Sequence, residues 1–191
     1  MEGGRILRIY TDGGCRGNQN EDGINTGGYG AILEFAGRRK ELSGGERNTT
    51  NNRMEMKALI AALSAVTKPR QRIEVFSDSS YLTNCFREGW YKNWRRNGWK
   101  TSSKTAVENR ELWEELLRLI EEPEHDISFF RVKGHVNPDG KSYLLSRDKL
   151  YEKFTEWNGR SFSLEDFEYV VRMNNRADEL ANLAMDGLSA S

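Results

Sequence analysis

The sequence predicts an α/β fold, a mixed five-stranded sheet flanked by helices, in one domain spanning residues 1–191. Three observations carry this. Five β-prone runs and three helix-periodic stretches follow one another in the order β-β-β-α-β-α-β-α. Ala36-Gly37 sits between two of the runs as a hairpin turn, so that unit pairs antiparallel. A chain of 191 residues that is 37% hydrophobic buries roughly 70% of its unfolded surface, so a core forms without disulfides or structural metal.

Taken in order, Arg5 to Thr11 reads as a mostly buried strand bounded by glycine pairs, which leaves Asp12 at its C-terminal end. A polar loop from Asn18 to Gly28 leads to strands Tyr29–Phe35 and Arg38–Leu42. Thr50-Asn51-Asn52 offers capping residues before a helix over Arg53–Val66, where Met56, Leu59, Ile60 and Leu63 recur at helical spacing. Arg72–Ser77 is a strand ending in Asp78, and Ser79 caps a short helix. Trp113–Ile120 is helical and stops near Pro123; Ile127–Val132 is the last strand. Asn175–Met185 closes the pattern as a helix, with Ala177, Leu180, Ala181 and Ala184 on one stripe.

No window of 18 apolar residues exists, and charges punctuate the first 20 residues, so neither a membrane span nor an export signal is expected. Cys15 and Cys85 lack C-x-x-C spacing, and two histidines are too few for a His/Cys zinc site. The expectation is a cytoplasmic monomer. A mean hydropathy of −0.78 is polar, but 20 aromatic residues argue against a disordered chain. Lys and Arg number 29, as do Asp and Glu; on composition alone, a net charge of zero leans away from a nucleic-acid partner.

Position singles out four carboxylates. Asp12 and Asp78 end apolar strands, where ligand crevices form in open α/β sheets. Glu55 borders the apolar stripe of its helix, and Asp178 does the same on the last helix. A carboxylate there is costly unless paired or metal-bound. For Glu55 and Asp178, the competing reading is an acid stabilised by a helix N-terminus.

Six segments, in order, resemble the type 1 ribonuclease H family: Thr11-Asp12-Gly13-Gly14-Cys15, Gly27-Gly28-Tyr29-Gly30-Ala31, Thr50-Asn51-Asn52-Arg53-Met54-Glu55, Ser77-Asp78-Ser79-Ser80-Tyr81, Val132-Lys133-Gly134-His135 and Asn174-Asn175-Arg176-Ala177-Asp178-Glu179-Leu180-Ala181. The resemblance implies a ribonuclease H-like sheet of three antiparallel strands followed by parallel ones. It also implies an endonuclease that hydrolyses the RNA strand of RNA/DNA hybrids by a two-metal mechanism, leaving 5′-phosphate and 3′-hydroxyl ends. Asp12, Glu55, Asp78 and Asp178 match the metal-binding carboxylates, and an all-oxygen set suits two Mg²⁺ ions, with Mn²⁺ as a substitute. His135 matches a residue that assists proton transfer or product release; an exposed loop histidine is the alternative. His125 has no match and reads as surface.

Substrate contacts follow from the same resemblance. Asn18, Asn51 and Asn52 match minor-groove positions, while Thr50 and Asn109 match a pocket for a DNA phosphate. Between Trp90 and Lys104 lie five cations, no acid and three of the five tryptophans. This segment, with Arg95, Arg96 and Lys100, resembles the basic protrusion that grips the DNA strand in some members, and Trp90 matches a ring on the DNA sugar. Trp94 and Trp99 read as packing. The zero net charge is thus an average over an acidic site and a basic groove.

Three departures stand out. Ser80 replaces a glutamine common in the family, and Asn48 replaces an arginine of the phosphate pocket, where Arg47 is the neighbouring candidate. Residues 137–172, usually a short loop, hold seven aromatics, seven acids and six bases. Leu150-Phe154-Trp157 and Leu164-Phe167-Val171 have helical spacing, with Ser163 as a cap, so a small helical insertion beside the active site is expected. Two other readings remain at this point: another nuclease or strand-transfer enzyme of the same wider fold, and a catalytically silent hybrid-binding module.

Overall fold

The computed structural model describes residues 5–17 and 23–189. Five strands, β1 (Leu7–Arg16), β2 (Thr26–Phe35), β3 (Arg38–Arg47), β4 (Arg72–Ser77) and β5 (Asp126–Arg131), form one sheet in the order β3-β2-β1-β4-β5. β1, β2 and β3 pair antiparallel, whereas β4 and β5 continue from β1 in parallel. Among the described residues, six helices accompany them: α1 (Asn51–Ser64), α2 (Ser80–Glu88), α3 (Trp90–Arg96), α4 (Arg110–Glu121), α5 (Lys141–Asn158) and α6 (Leu164–Ser189).

Alternation along the strands divides the core in two. Ile9, Ile73 and Val75 face α1 and α4, joined by Leu59, Leu63 and Trp113. Tyr10, Ile32 and Phe76 face the other side, under Val170, Ala177 and the rings of Phe154, Phe162 and Phe167. Phe76 stacks on Phe130 at 5.1 Å and meets Phe162 edge-on at 6.2 Å.

Several sequence expectations need correcting. β1 does not stop at Thr11 but runs to Arg16, because β2 keeps pairing with it as far as Arg16 opposite Thr26. The expected loop through Gly28 is therefore partly strand, and β3 extends to Arg47. α1 begins two residues early, at Asn51, with the Thr50 hydroxyl accepting the Arg53 N–H at 3.2 Å. Trp90–Arg96 is a helix that the pattern did not announce.

Residues 137–172 are helical, but not as two helices of their own. Ser163 caps a 26-residue helix that runs unbroken through Asn174 and Asn175 into the stretch read as the last helix. The turn between α5 and α6 is tied to the sheet by Arg160 on buried Glu74 at 2.8 Å and by Arg8, whose guanidinium holds both oxygens of Asp166 at 2.6 and 2.9 Å. His125 is buried rather than on the surface: its Nδ1 accepts the Gln71 N–H at 3.1 Å, and burial lowers its pKa.

Candidate active site

The parallel ladder between β1 and β4 ends at Thr11 opposite Ser77. Asp12 and Asp78 are the next residues on each strand, so the end of one ladder sets two carboxylates side by side. Glu55 comes from the second turn of α1, which approaches β1 so closely that a Cβ on Gly13 would lie 2.4 Å from the Glu55 backbone nitrogen. Only glycine allows that contact, and the nearby Gly13 N–H favours the charged Glu55 carboxylate against its burial.

Asp12, Glu55 and Asp78 each offer an oxygen within 4.8 Å of the others. Asp12 and Glu55 are 7% exposed, which places two acids almost entirely out of water. Burial is the main cause of raised pKa values at all three, reinforced at Asp12 and Glu55 by the charges of neighbouring carboxylates. Asp12 is pushed up to about 9. Glu55 Oε2 is buried without a hydrogen-bond partner. Three convergent carboxylates, one with an orphaned buried oxygen, fit a hard divalent cation.

The acids open into a cleft of about 510 Å³ that Asp178 of α6 and His135 also line. His135 is exposed and sits at φ 57°, in the left-handed region. Asn51 and Asn52 lie on the same rim; Asn51 Oδ1 accepts the Cys15 N–H at 2.7 Å, so the capping turn of α1 is fastened to β1. Ser80 lines the cleft, while Asn48 adopts φ 56° and donates its N–H to the Asn25 carbonyl at 2.9 Å. Asn18 lies outside the described residues.

Thr50 and Asn109 are linked by a residue that the sequence reading used only as part of a motif. Arg53 donates its backbone N–H to Thr50 Oγ1, and its guanidinium donates to Asn109 Oδ1 at 3.1 Å and to Glu111 at 2.5 Å. Its place three residues after the cap was the available signal. Arg47 instead donates to the Leu188 carbonyl at 3.0 Å.

In the basic segment, Trp90 is half-buried and donates its indole N–H to Glu88 at 2.7 Å. Trp94 packs on Trp99 and Trp113, as expected of core rings. Arg96 and Lys100 are exposed, but Arg95 is paired with Glu121 of α4 at 2.8 Å. The acid-free composition of the segment therefore overstates its free charge.

The ribonuclease H family model matches residues 5–143. A ribonuclease H of Chlorobaculum parvum is 41% identical over 181 residues, covering 95% of this chain and 96% of that one. Another, from Caldanaerobacter subterraneus subsp. tengcongensis, is 50% identical over 130 residues, or 68% of this chain and 80% of that one. Among solved structures, LC9-RNase H1, a type 1 RNase H with the type 2 active-site motif, superposes with a TM-score of 0.67 at 27% identity, covering 96% of this chain and 74% of that one. With the sheet order, the acidic cleft and these relatives in agreement, the chain belongs to the ribonuclease H family, enzymes that cleave the RNA strand of RNA/DNA hybrids.

Proposed function

We propose that this chain hydrolyses RNA/DNA hybrids with two Mg²⁺ ions, Mn²⁺ being an alternative, and leaves 5′-phosphate and 3′-hydroxyl ends. The observation that carries the reading is the convergence of Asp12, Glu55 and Asp78 within 4.8 Å, with Glu55 Oε2 left unpartnered in a buried position. When bound, divalent cations supply the charge that acidifies water and compensates the leaving oxygen. Asp12, Glu55 and Asp78 hold that charge, and Asp178, on the same cleft, completes the second position. His135, exposed at the rim, moves a proton or eases product departure.

Recognition is divided among the surrounding residues. Asn51 and Asn52 donate to and accept from the minor groove, and Asn18 is assigned the same role from sequence. Thr50, Asn109 and the Arg53 guanidinium between them hold a DNA phosphate. Trp90 meets a DNA sugar beside Arg95, Arg96 and Lys100. The enzyme works as a monomer in the cytoplasm, a reducing compartment that its two free cysteines suit; among the described residues no helix is long and apolar enough to cross a membrane.

The test incubates the chain with an RNA/DNA hybrid, duplex DNA and duplex RNA, each with Mg²⁺ and with a chelator. Cleavage of the hybrid alone, only with Mg²⁺, is expected. Asp12→Asn should abolish cleavage while hybrid binding survives. Intact hybrid after incubation with Mg²⁺ would leave a binding module as the answer.

A further inference from the structure

Trp157, near the end of α5, gathers cations that no carboxylate among the described residues pairs with. The Arg131 guanidinium lies 4.3 Å from the centre of its ring, and Lys153 Nζ lies 5.4 Å away. Lys133, Lys153 and Trp157 line one small crevice of about 10 Å³. Arg87, from the end of α2, donates to the Trp157 carbonyl. None of these four pairs with a described carboxylate, whereas Arg8, Arg53, Arg95, Arg172 and Arg176 all do. An ion pair positions a cation by cancelling its charge; a tryptophan face positions it and leaves the charge available.

The cluster is rigidly placed. The Asn158 side chain accepts the Arg131 N–H at 2.8 Å and donates to the Arg131 carbonyl at 3.0 Å, clamping the end of α5 to the end of β5. It is also next to the chemistry. Arg131 pairs with Ser77, the residue before Asp78, and Lys133 precedes Gly134, which packs on Asp78. The Trp90–Lys104 segment packs with the α1 and α4 side of the sheet, while α5 belongs to the opposite side and is reached by Arg87 from α2, which packs with the first.

We propose that Arg87, Arg131, Lys133 and Lys153, arranged about Trp157, form a second nucleic-acid surface that holds backbone phosphates of the hybrid beyond the scissile position. The inference rests on the hybrid as substrate. Phosphates are the matching ligand because the cluster offers fixed, uncompensated positive charge beside a cleft that accepts a polyanion, with no base-reading amide among its members.

The test measures binding of a labelled hybrid of about 20 base pairs by fluorescence anisotropy across a KCl series in chelator. Arg131→Gln/Lys133→Gln/Lys153→Gln is expected to reduce the slope of log Kd against log salt by about 2–3 and to raise Kd about tenfold or more at low salt. Lys133→Gln/Lys153→Gln, which changes exposed side chains only, should lose about 1–2 of that slope and decides the matter if the triple variant fails to fold. Arg38→Gln/Lys40→Gln/Lys68→Gln removes as much charge from other exposed positions and should leave the slope in place. An unchanged slope in the double variant, or an equal loss in the control, overturns the proposal. Cleavage of the hybrid by the unaltered chain is scored separately and bears only on the proposed activity.

Discussion

Gly134 lies against Asp78 so tightly that a Cβ on the glycine would stand 2.3 Å from Asp78 Oδ2. The loop after β5 thus holds one of the three convergent carboxylates in place from behind. Gly134→Ala should push the carboxylate aside and lower hybrid cleavage about 10²-fold, the scale expected of an ångström's misplacement. Steady-state cleavage and a melting curve check it; full activity with an unchanged Tm would show that the contact yields freely.

Without metal, the acidic cluster should weaken the fold at neutral pH. The Asp12 carboxyl has its pKa raised from 3.8 to about 9, so between these values the folded chain holds a proton that the unfolded chain releases. Stability contributed by that proton falls as pH rises through the window and is complete only on its acid side. Asp12→Asn should therefore raise the chelator-treated Tm at pH 7–8, at about 2–4 °C per kcal/mol for a chain of this size, with the gain shrinking toward pH 4. Thermal melts across pH, with and without Mg²⁺, measure it.

His135 adopts a left-handed backbone that costs an ordinary residue about 1–2 kcal/mol. His135→Gly should therefore keep or raise Tm while turnover falls about 10²-fold, a low-end value for a proton-transfer group. A drop in kcat together with an undiminished Tm separates chemistry from folding.

The cations of the α3 segment should be unequal. Arg96→Ala and Lys100→Ala should each reduce the salt slope of hybrid binding by about 1, and Arg95→Ala by less, because Glu121 already neutralises Arg95. Equal slopes for all three would mean that the ion pair opens on binding.

Phe162 joins the α5–α6 turn to Phe76, Phe130 and Phe154. Phe162→Ala should cost about 3–5 kcal/mol, measured by denaturant unfolding. Removing residues 137–172 would take away much of one sheet face, so unfolding rather than altered substrate access is the expected result.

The elements that could be read from sequence are those whose determinants are local. Arg72–Ser77 is an apolar run bounded at both ends, and it is β4 to the residue. The extension of β1 through Gly13 and Gly14 was hidden, since glycine has no strand preference of its own and β2 supplies the pairing. Asn174 and Asn175 made one helix look like two; Asn174 is buried and Asn175 donates to the Val136 carbonyl at 2.6 Å, contacts invisible in a linear pattern. The gathering of Asp12, Glu55 and Asp78 was legible from ordered motifs, yet their spacing, the orphaned Glu55 oxygen and the Arg53 bridge depend on packing between distant segments. A lone histidine carries no burial signal, which is why His125 was misplaced.

Because Asp178 rides on a continuous helix of about 39 Å, it arrives at the cleft only with the rest of that rod. Arg8 to Asp166 and Arg16 to Asp186 close loops of 158 and 170 residues. On a translating ribosome, Asp12, Glu55 and Asp78 emerge long before α6 can dock. A nascent chain would carry these three acids before Asp178, and the cleft that Asp178 lines would be completed only after α6 had left the exit tunnel.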